Sequence, residues 1–381
     1  MKISFVNDGF DMGGVERVTI KIANSLQENG HQVSLIDFSG KNHYYYDINK
    51  DIKIRNVISE RVLKRKLIRK ALLYKYRISN KQNSIYYLYK EQIDQLIKFV
   101  KENRPDILVV CQGILTAAIP WVKREIKDTK IIAWQHNDFD VYVNDYYKEF
   151  VDDYLFGVKQ ADKVICLTNA DIRKFKSFNN NSCNIYNPLT ISEEKLSNLE
   201  SKYIVFVGRL KIEQKGLDYL IPIGKSLGKD WKIVVAGDGP DREKFQKLIS
   251  DNNLQDKFIL KGSVSSEELV DIYSSGSIFI STSRWEGFGL VITEAMACGL
   301  PIISFKNLGP NEILNQGKYG ILIENYDVQE FVVNLKELMV NPEKRKYLQG
   351  KSLERVTDFK IEKILQDWSD LIWKLTQPNK Q

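Results

Sequence analysis

Cysteine is scarce here: Cys111, Cys166, Cys183 and Cys298 are spread singly through 381 residues. Each sits in an apolar setting. They make no metal-type pair and no disulfide framework, the pattern of a reducing cytosol. Long apolar runs are missing too. No stretch reaches the roughly 18 residues of a membrane span, and the opening MKISFVNDGF is too short in its apolar run for a signal peptide. The expectation is a cytoplasmic protein, soluble or held only at a membrane surface. Acidic residues are absent from one segment: residues 61–90 hold ten Lys or Arg and no Asp or Glu, although the whole chain carries only +7. The basic character is therefore local and points to an acidic surface partner.

What is present is an ordinary globular balance, 43% apolar and 28% charged, in a chain too long for one core. Apolar runs alternate with helix-period segments. KISFV (2–6), QVSLIDF (32–38), DILVVC (106–111), KIIAW (130–134) and KVICL (163–167) read as buried strands. GVERVTIKIANSLQENG (14–30) reads as a helix with Val18, Ala23 and Leu26 inward, stopped by Gly30. The series restarts with YIVFVG (203–208), WKIVVAG (231–237), KFILKG (257–262), SIFIST (277–282) and LPIISF (300–305), with a helix near 216–228. Such βαβ alternation predicts two parallel sheets covered on both faces. The polar 188–202 separates them as a linker; the domains are 1–187 and 203–358, and 359–381 is an amphipathic helix expected to pack back across the junction. Two such domains of similar size would hold a ligand in a cleft where their strand carboxyl ends face each other.

Several strand-to-helix loops carry chemistry. SRWEGFGLVITEA (283–295) places Glu286 on a loop after a strand. Gly287 and Gly289 allow close backbone approach, and the N–H groups of Phe288, Gly289 and Leu290 open a helix that favours an anion. Glu294 follows inside that helix, able to accept from vicinal hydroxyls; the plainer alternative is acidic residues complementing a helix dipole. In VGRLKIEQKG (207–216), Arg209 and Lys215 follow Gly208 and would neutralise a diphosphate, against the alternative of two solvated cations. Gly237, Gly239 and Pro240 form a tight turn expected, with Gly208, to line the donor site, a purely structural reading being at least as good. Gly13 and Gly14 follow the first strand without the G-x-G-x-x-G of a dinucleotide site. His136, in AWQHNDFD (133–140), alone among three histidines follows a buried strand; a structural histidine is the equal alternative.

Taken together, these residues resemble the retaining glycosyltransferases of family 4, whose two-domain fold is called GT-B. The resemblance rests on Gly13-Gly14-Val15-Glu16-Arg17, His136-Asn137, Gly208-Arg209 with Lys215-Gly216, Gly237-Asp238-Gly239-Pro240, and the E-x7-E pattern of Glu286 and Glu294. It implies an α/β fold of two Rossmann-like domains, the first for the acceptor and the second for a nucleoside-diphosphate sugar, expected to be a UDP-sugar because such donors are common in the family. By resemblance, Arg209 and Lys215 hold the diphosphate, Glu294 the ribose, Glu286 and the 287–290 backbone the sugar and distal phosphate. Gly14 borders the diphosphate and His136 touches the transferred sugar. The implied reaction is transfer to a glycan or lipid-linked acceptor in envelope, capsule or exopolysaccharide assembly, by front-side attack. No cofactor is expected and no metal; DFD (138–140) has Asp-x-Asp spacing but follows His136 in the family pattern. A sugar-nucleotide epimerase or hydrolase, or an inactive partner subunit, are the alternatives.

The basic stretch 61–78 keeps Leu63, Leu67, Ala71, Tyr74 and Ile78 on one helical face, with Lys64, Arg65, Lys66, Arg69 and Lys70 among the cations around it. It reads as an amphipathic helix on anionic lipid, at the inner face of the membrane. The alternative is a stripe facing the protein core. No nucleic-acid motif accompanies the patch.

Overall fold

A computed structural model describes residues 1–56, 67, 70, 71, 74, 84–191 and 195–377. The chain divides into two compact units, Met1–Pro188 with Glu362–Gln381, and Leu189–Ile361.

The first unit is a seven-stranded sheet, every pair parallel, in the order β3-β2-β1-β4-β5-β6-β7. The strands are β1 (Lys2–Asn7), β2 (Gln32–Asp37), β3 (Lys53–Asn56), β4 (Ile107–Cys111), β5 (Lys130–Trp134), β6 (Lys163–Cys166) and β7 (Ser182–Asn184). All five residues of β4, Ile-Leu-Val-Val-Cys, are buried. A continuous apolar run is what a central strand covered on both faces requires. Helix α1 (Gly14–Glu28) turns Val18, Ile22, Ala23 and Leu26 inward, and Gly30 follows it with φ 84°. Helix α2 (Ile85–Asn103) leads into β4 and helix α3 (Val151–Gln160) into β6. The closing helix Ile361–Thr376 belongs to this unit. Its Trp368 is fully buried, 6.1 Å from the Phe5 ring and 4.9 Å edge-on from Trp134.

The second unit is a six-stranded parallel sheet ordered β10-β9-β8-β11-β12-β13. Its strands are β8 (Tyr203–Val207), β9 (Lys232–Ala236), β10 (Phe258–Gly262), β11 (Ile278–Ser281), β12 (Ile302–Phe305) and β13 (Ile321–Ile323). Helix α4 (Leu290–Ala297) follows β11 and is apolar nearly all round, as a helix inside a core must be. Residues 189–202, read above as a linker, group with this unit: Ser197 N–H donates to Cys298 O at 2.9 Å, and Arg345 Nη2 to Leu199 O at 3.2 Å. The helix expected over 216–228 is broken into shorter turns, Ile212–Lys215, Leu217–Tyr219 and Leu220–Ser226, with left-handed Gly216 between the first two.

Cys111, Cys166 and Cys298 are buried and all four cysteines are free. Burial pushes the Cys111 thiol up to about 12, so it is inert at neutral pH. Among the described residues no helix is long and apolar enough to cross a membrane. Lys64, Arg65, Lys66 and Arg69 lie outside the described residues. Lys70 is helical and exposed, as are Leu67, Ala71 and Tyr74 of the same segment. Leu67 and Tyr74 are 68% and 69% exposed, so at these positions the apolar stripe is not covered by a core.

Candidate functional site

In each sheet the strand order reverses once, and the carboxyl ends of the two strands at that point are where a parallel α/β sheet takes its ligand. In the second unit the reversal falls between β8 and β11. Gly208 and Arg209 follow β8, and the one-turn helix Ile212–Lys215 brings Lys215 back toward β11. The two loops are stitched together. Thr282 Oγ1 donates to Lys215 O at 2.9 Å, Arg284 N–H to Gln214 O at 2.8 Å, and the Arg284 guanidinium grips Asp218 through both nitrogens.

Lys215 thereby meets Glu286. Its ammonium bonds the Glu286 carboxylate, to which Ser283 Oγ also donates at 2.7 Å. The two side chains are only 12% and 11% exposed. Arg209, by contrast, is exposed, and its guanidinium has no ion-pair partner among the described residues. Glycine is required around them. A Cβ on Gly237, whose φ is 132°, would stand 2.0 Å from Gly208 O, so Gly237 serves the packing of this turn. Gly289 takes φ 108° at the head of α4 and no side chain caps that helix. The first amides of α4 are thus left for an anion. Phe288 is buried with its ring edge-on to Phe359, fixing the Gly287–Leu290 backbone from below.

Glu294 sits within α4, 1% exposed. Thr190 Oγ1 and Tyr273 OH donate to its two oxygens at 2.7 and 3.0 Å. A ligand hydroxyl there would share the carboxylate with both. Two residues escaped the sequence reading. Asn307 Nδ2 donates to Ser283 O at 3.0 Å, while the amide oxygens of Asn307 and Asn311 are buried without a partner among the described residues. A Cβ on Gly309 would lie 2.1 Å from Phe288 O, which puts this segment directly beneath the Glu286–Phe288 loop. Buried acceptors without partners are places for ligand or water. The sequence signal was polar Asn307 and Asn311 immediately after a buried strand.

In the first unit the reversal falls between β1 and β4. Gly13 and Gly14 follow β1; a Cβ on Gly13 would collide with the Glu16 carboxylate at 2.1 Å. Burial, with Asp8 and Asp11 nearby, pushes the Glu16 carboxyl up from its ordinary range. After β4, Gln112 takes φ 88° and ψ 150°, a conformation almost reserved for glycine. From it Nε2 reaches Glu16 Oε1 at 3.3 Å.

His136 lies two residues beyond β5. Its ring is 4.3 Å from that of Trp134, its N–H donates to Tyr142 OH at 3.1 Å, and Asp171 holds the loop by accepting from Phe139 N–H at 3.1 Å. Among the described residues neither ring nitrogen has a partner, and burial holds the imidazole down to about 3. It is neutral at pH 7, with one donor and one acceptor unused. The unfolded chain takes up this proton near pH 6.5 and the folded chain near 3, so stability held above pH 6.5 is lost as the pH falls. Going from pH 7 to 5 should cost about 2 kcal/mol through this group. Urea unfolding of wild type and His136→Gln at both pH values checks it: the wild type loses that amount more than the variant, and equal losses reject the assignment.

Comparison with known proteins agrees with this layout. Residues 189–354 match the model for glycosyl transferases group 1, and residues 12–189 the model for Glycosyltransferase Family 4. An uncharacterized glycosyltransferase of Haemophilus influenzae is 31% identical over 373 residues, covering 94% of this chain and 96% of that protein. The amylovoran biosynthesis glycosyltransferase AmsD of Erwinia amylovora is 23% identical, covering 97% and 99%. The structure of Anabaena HepE in complex with UDP and glucose superposes with a TM-score of 0.75 at 17% identity, over 98% of this chain and 99% of that one. Two parallel Rossmann-like sheets, each matching its own half of the family, make this chain a member of the GT-B glycosyltransferases.

Proposed function

We propose that the protein is a retaining glycosyltransferase that moves a sugar from a UDP-sugar to a glycan or lipid-linked acceptor in envelope polysaccharide assembly. The observation that carries this is the pairing of Lys215 with Glu286 on the loops of one reversal point, with the uncapped start of α4 following Glu286 and Arg209 exposed on the loop that leaves β8. Two cations and exposed amides suit a diphosphate; a carboxylate beside them suits sugar hydroxyls. The UDP and glucose held by HepE, and the polysaccharide pathway of AmsD, support the donor and acceptor classes.

In this reading the bond from the anomeric carbon to the β-phosphate oxygen breaks, and Arg209 and Lys215 balance the charge that develops on the leaving diphosphate. With these cations in place the transfer needs no metal. The acceptor hydroxyl attacks from the face the diphosphate leaves, and a phosphate oxygen takes its proton, so configuration is retained. Neutral His136 hydrogen-bonds the transferred sugar near the reacting carbon. Glu294 receives the ribose hydroxyls, sharing its oxygens with Thr190 and Tyr273.

A thermal-shift screen across nucleoside-diphosphate sugars tests the reading. A UDP-sugar is expected to raise Tm, by several degrees at saturation, with transfer unchanged by EDTA. No shift with any donor would reject the function; loss of transfer in EDTA would reject metal independence. The cationic segment 61–78, with exposed Leu67 and Tyr74, is proposed to rest on anionic lipid. Flotation with anionic but not neutral liposomes is the expected result, and equal flotation with both would dismiss it.

A further inference from the structure

The first unit contains a cavity of about 300 Å³ that none of the assigned roles uses. Its apolar walls include Tyr89 of α2 and Tyr146 and Phe150 from the segment after β5; Asp145, Lys148 and Glu149 supply its polar groups. Both walls stand at the carboxyl edge of the sheet. Helix α2 precedes β4 and so begins at that edge, while the other wall follows the carboxyl end of β5. Residues Tyr142–Tyr146 form a π-helical turn, a distortion frequent at functional sites. Tyr146 is 45% exposed.

The cavity is joined to His136 by packed rings. His136 N–H donates to Tyr142 OH, Tyr142 stacks on Tyr147 with centroids 5.2 Å apart, and Tyr147 lies 5.7 Å from Phe150. Gly113, just after β4, carries no Cβ that would strike the Tyr147 ring at 2.2 Å, so this row of rings seats against the head of that strand.

We propose that this cavity is a subsite for a neutral pyranose ring of the acceptor, away from the hydroxyl that is attacked. The proposal rests on the glycosyltransferase reading above. Aromatic faces cover the apolar C–H face of a pyranose, and carboxylates accept from its hydroxyls. The volume is at the lower end of ligand pockets, roughly 300–1,000 Å³, which suits one ring rather than a long chain. Among the described lining residues two carboxylates stand against one ammonium, which disfavours uronic acids, phosphosugars and anionic lipid headgroups.

Saturation-transfer NMR on the full chain, with methyl α-glycosides of glucose, galactose, mannose and N-acetylglucosamine as probes, tests it. At least one neutral glycoside should bind, and methyl glucuronide should bind more weakly. Tyr146→Ala should weaken the neutral glycoside by roughly fivefold, the loss of one stacking face, while Tyr146→Phe restores it. The Tm shift given by UDP should be the same in all three proteins. A normal UDP shift with no glycoside bound, or with binding equal in wild type and Tyr146→Ala, overturns the subsite and leaves the donor reading standing. Absence of any UDP or UDP-sugar shift in the wild type instead removes the reading on which the subsite rests.

Discussion

Lys215→Ala is expected to lower turnover at saturating donor by about 10²-fold or more, as removal of an oxyanion donor does. That is about 2.7 kcal/mol of transition-state stabilisation. The residue is held at both ends: its ammonium bonds Glu286 and its backbone carbonyl accepts from Thr282 Oγ1. It therefore meets a developing phosphate charge without reorganising. The variant has a second effect. Among the described residues, Glu286, 11% exposed, would keep only Ser283 as a side-chain partner. A stranded buried carboxylate costs several kcal/mol, so Tm falls as well. The double variant Lys215→Ala with Glu286→Gln separates the two effects. It should regain most of the Tm and none of the turnover. Near wild-type kcat in Lys215→Ala would remove Lys215 from the diphosphate site.

Gly216→Ala is expected to destabilise the second unit by about 3 kcal/mol, combining left-handed backbone strain with overpacking. Gly216 has φ 60° and ψ 40°, and an added Cβ would stand 2.1 Å from Thr282 O and 2.7 Å from the Tyr219 ring. The nearest obstacle is backbone at the end of β11, so no rotamer change relieves it. The loops cannot simply separate, because the Thr282–Lys215 and Arg284–Gln214 bonds tie them. Gly228→Ala is the control: nothing lies within 4 Å of a Cβ there. Thermal unfolding of the two variants should differ by many degrees, and a Gly216→Ala protein as stable as the control would show that the loop approach is not tight.

The ten strands expected from apolar runs are all present, because a parallel strand covered on both faces has to read as such a run. Three strands were not visible: β3, β7 and β13. The first two are the edges of their sheet and β13 is an edge of the other. Every residue of β3 is exposed, and Lys-Ile-Arg-Asn has no apolar pattern to find. The site residues were legible where glycine and charge follow a strand. Their partners were not. The sequence offered no means of pairing Lys215 with Glu286 across 71 positions, or Thr190 with Glu294 across 104. Those pairings come from strand order, which local pattern does not encode. The strained Gln112 was invisible for the same reason: its backbone angles follow from what surrounds it.

The helix carrying Trp368 is translated after Leu189–Ile361, yet its indole packs against the Phe5 and Trp134 rings. A nascent chain emerging from the ribosome can thus finish Leu189–Ile361 while the portion translated before it still awaits its plug. Met1–Pro188 therefore closes on a helix made after the unit that follows it in sequence.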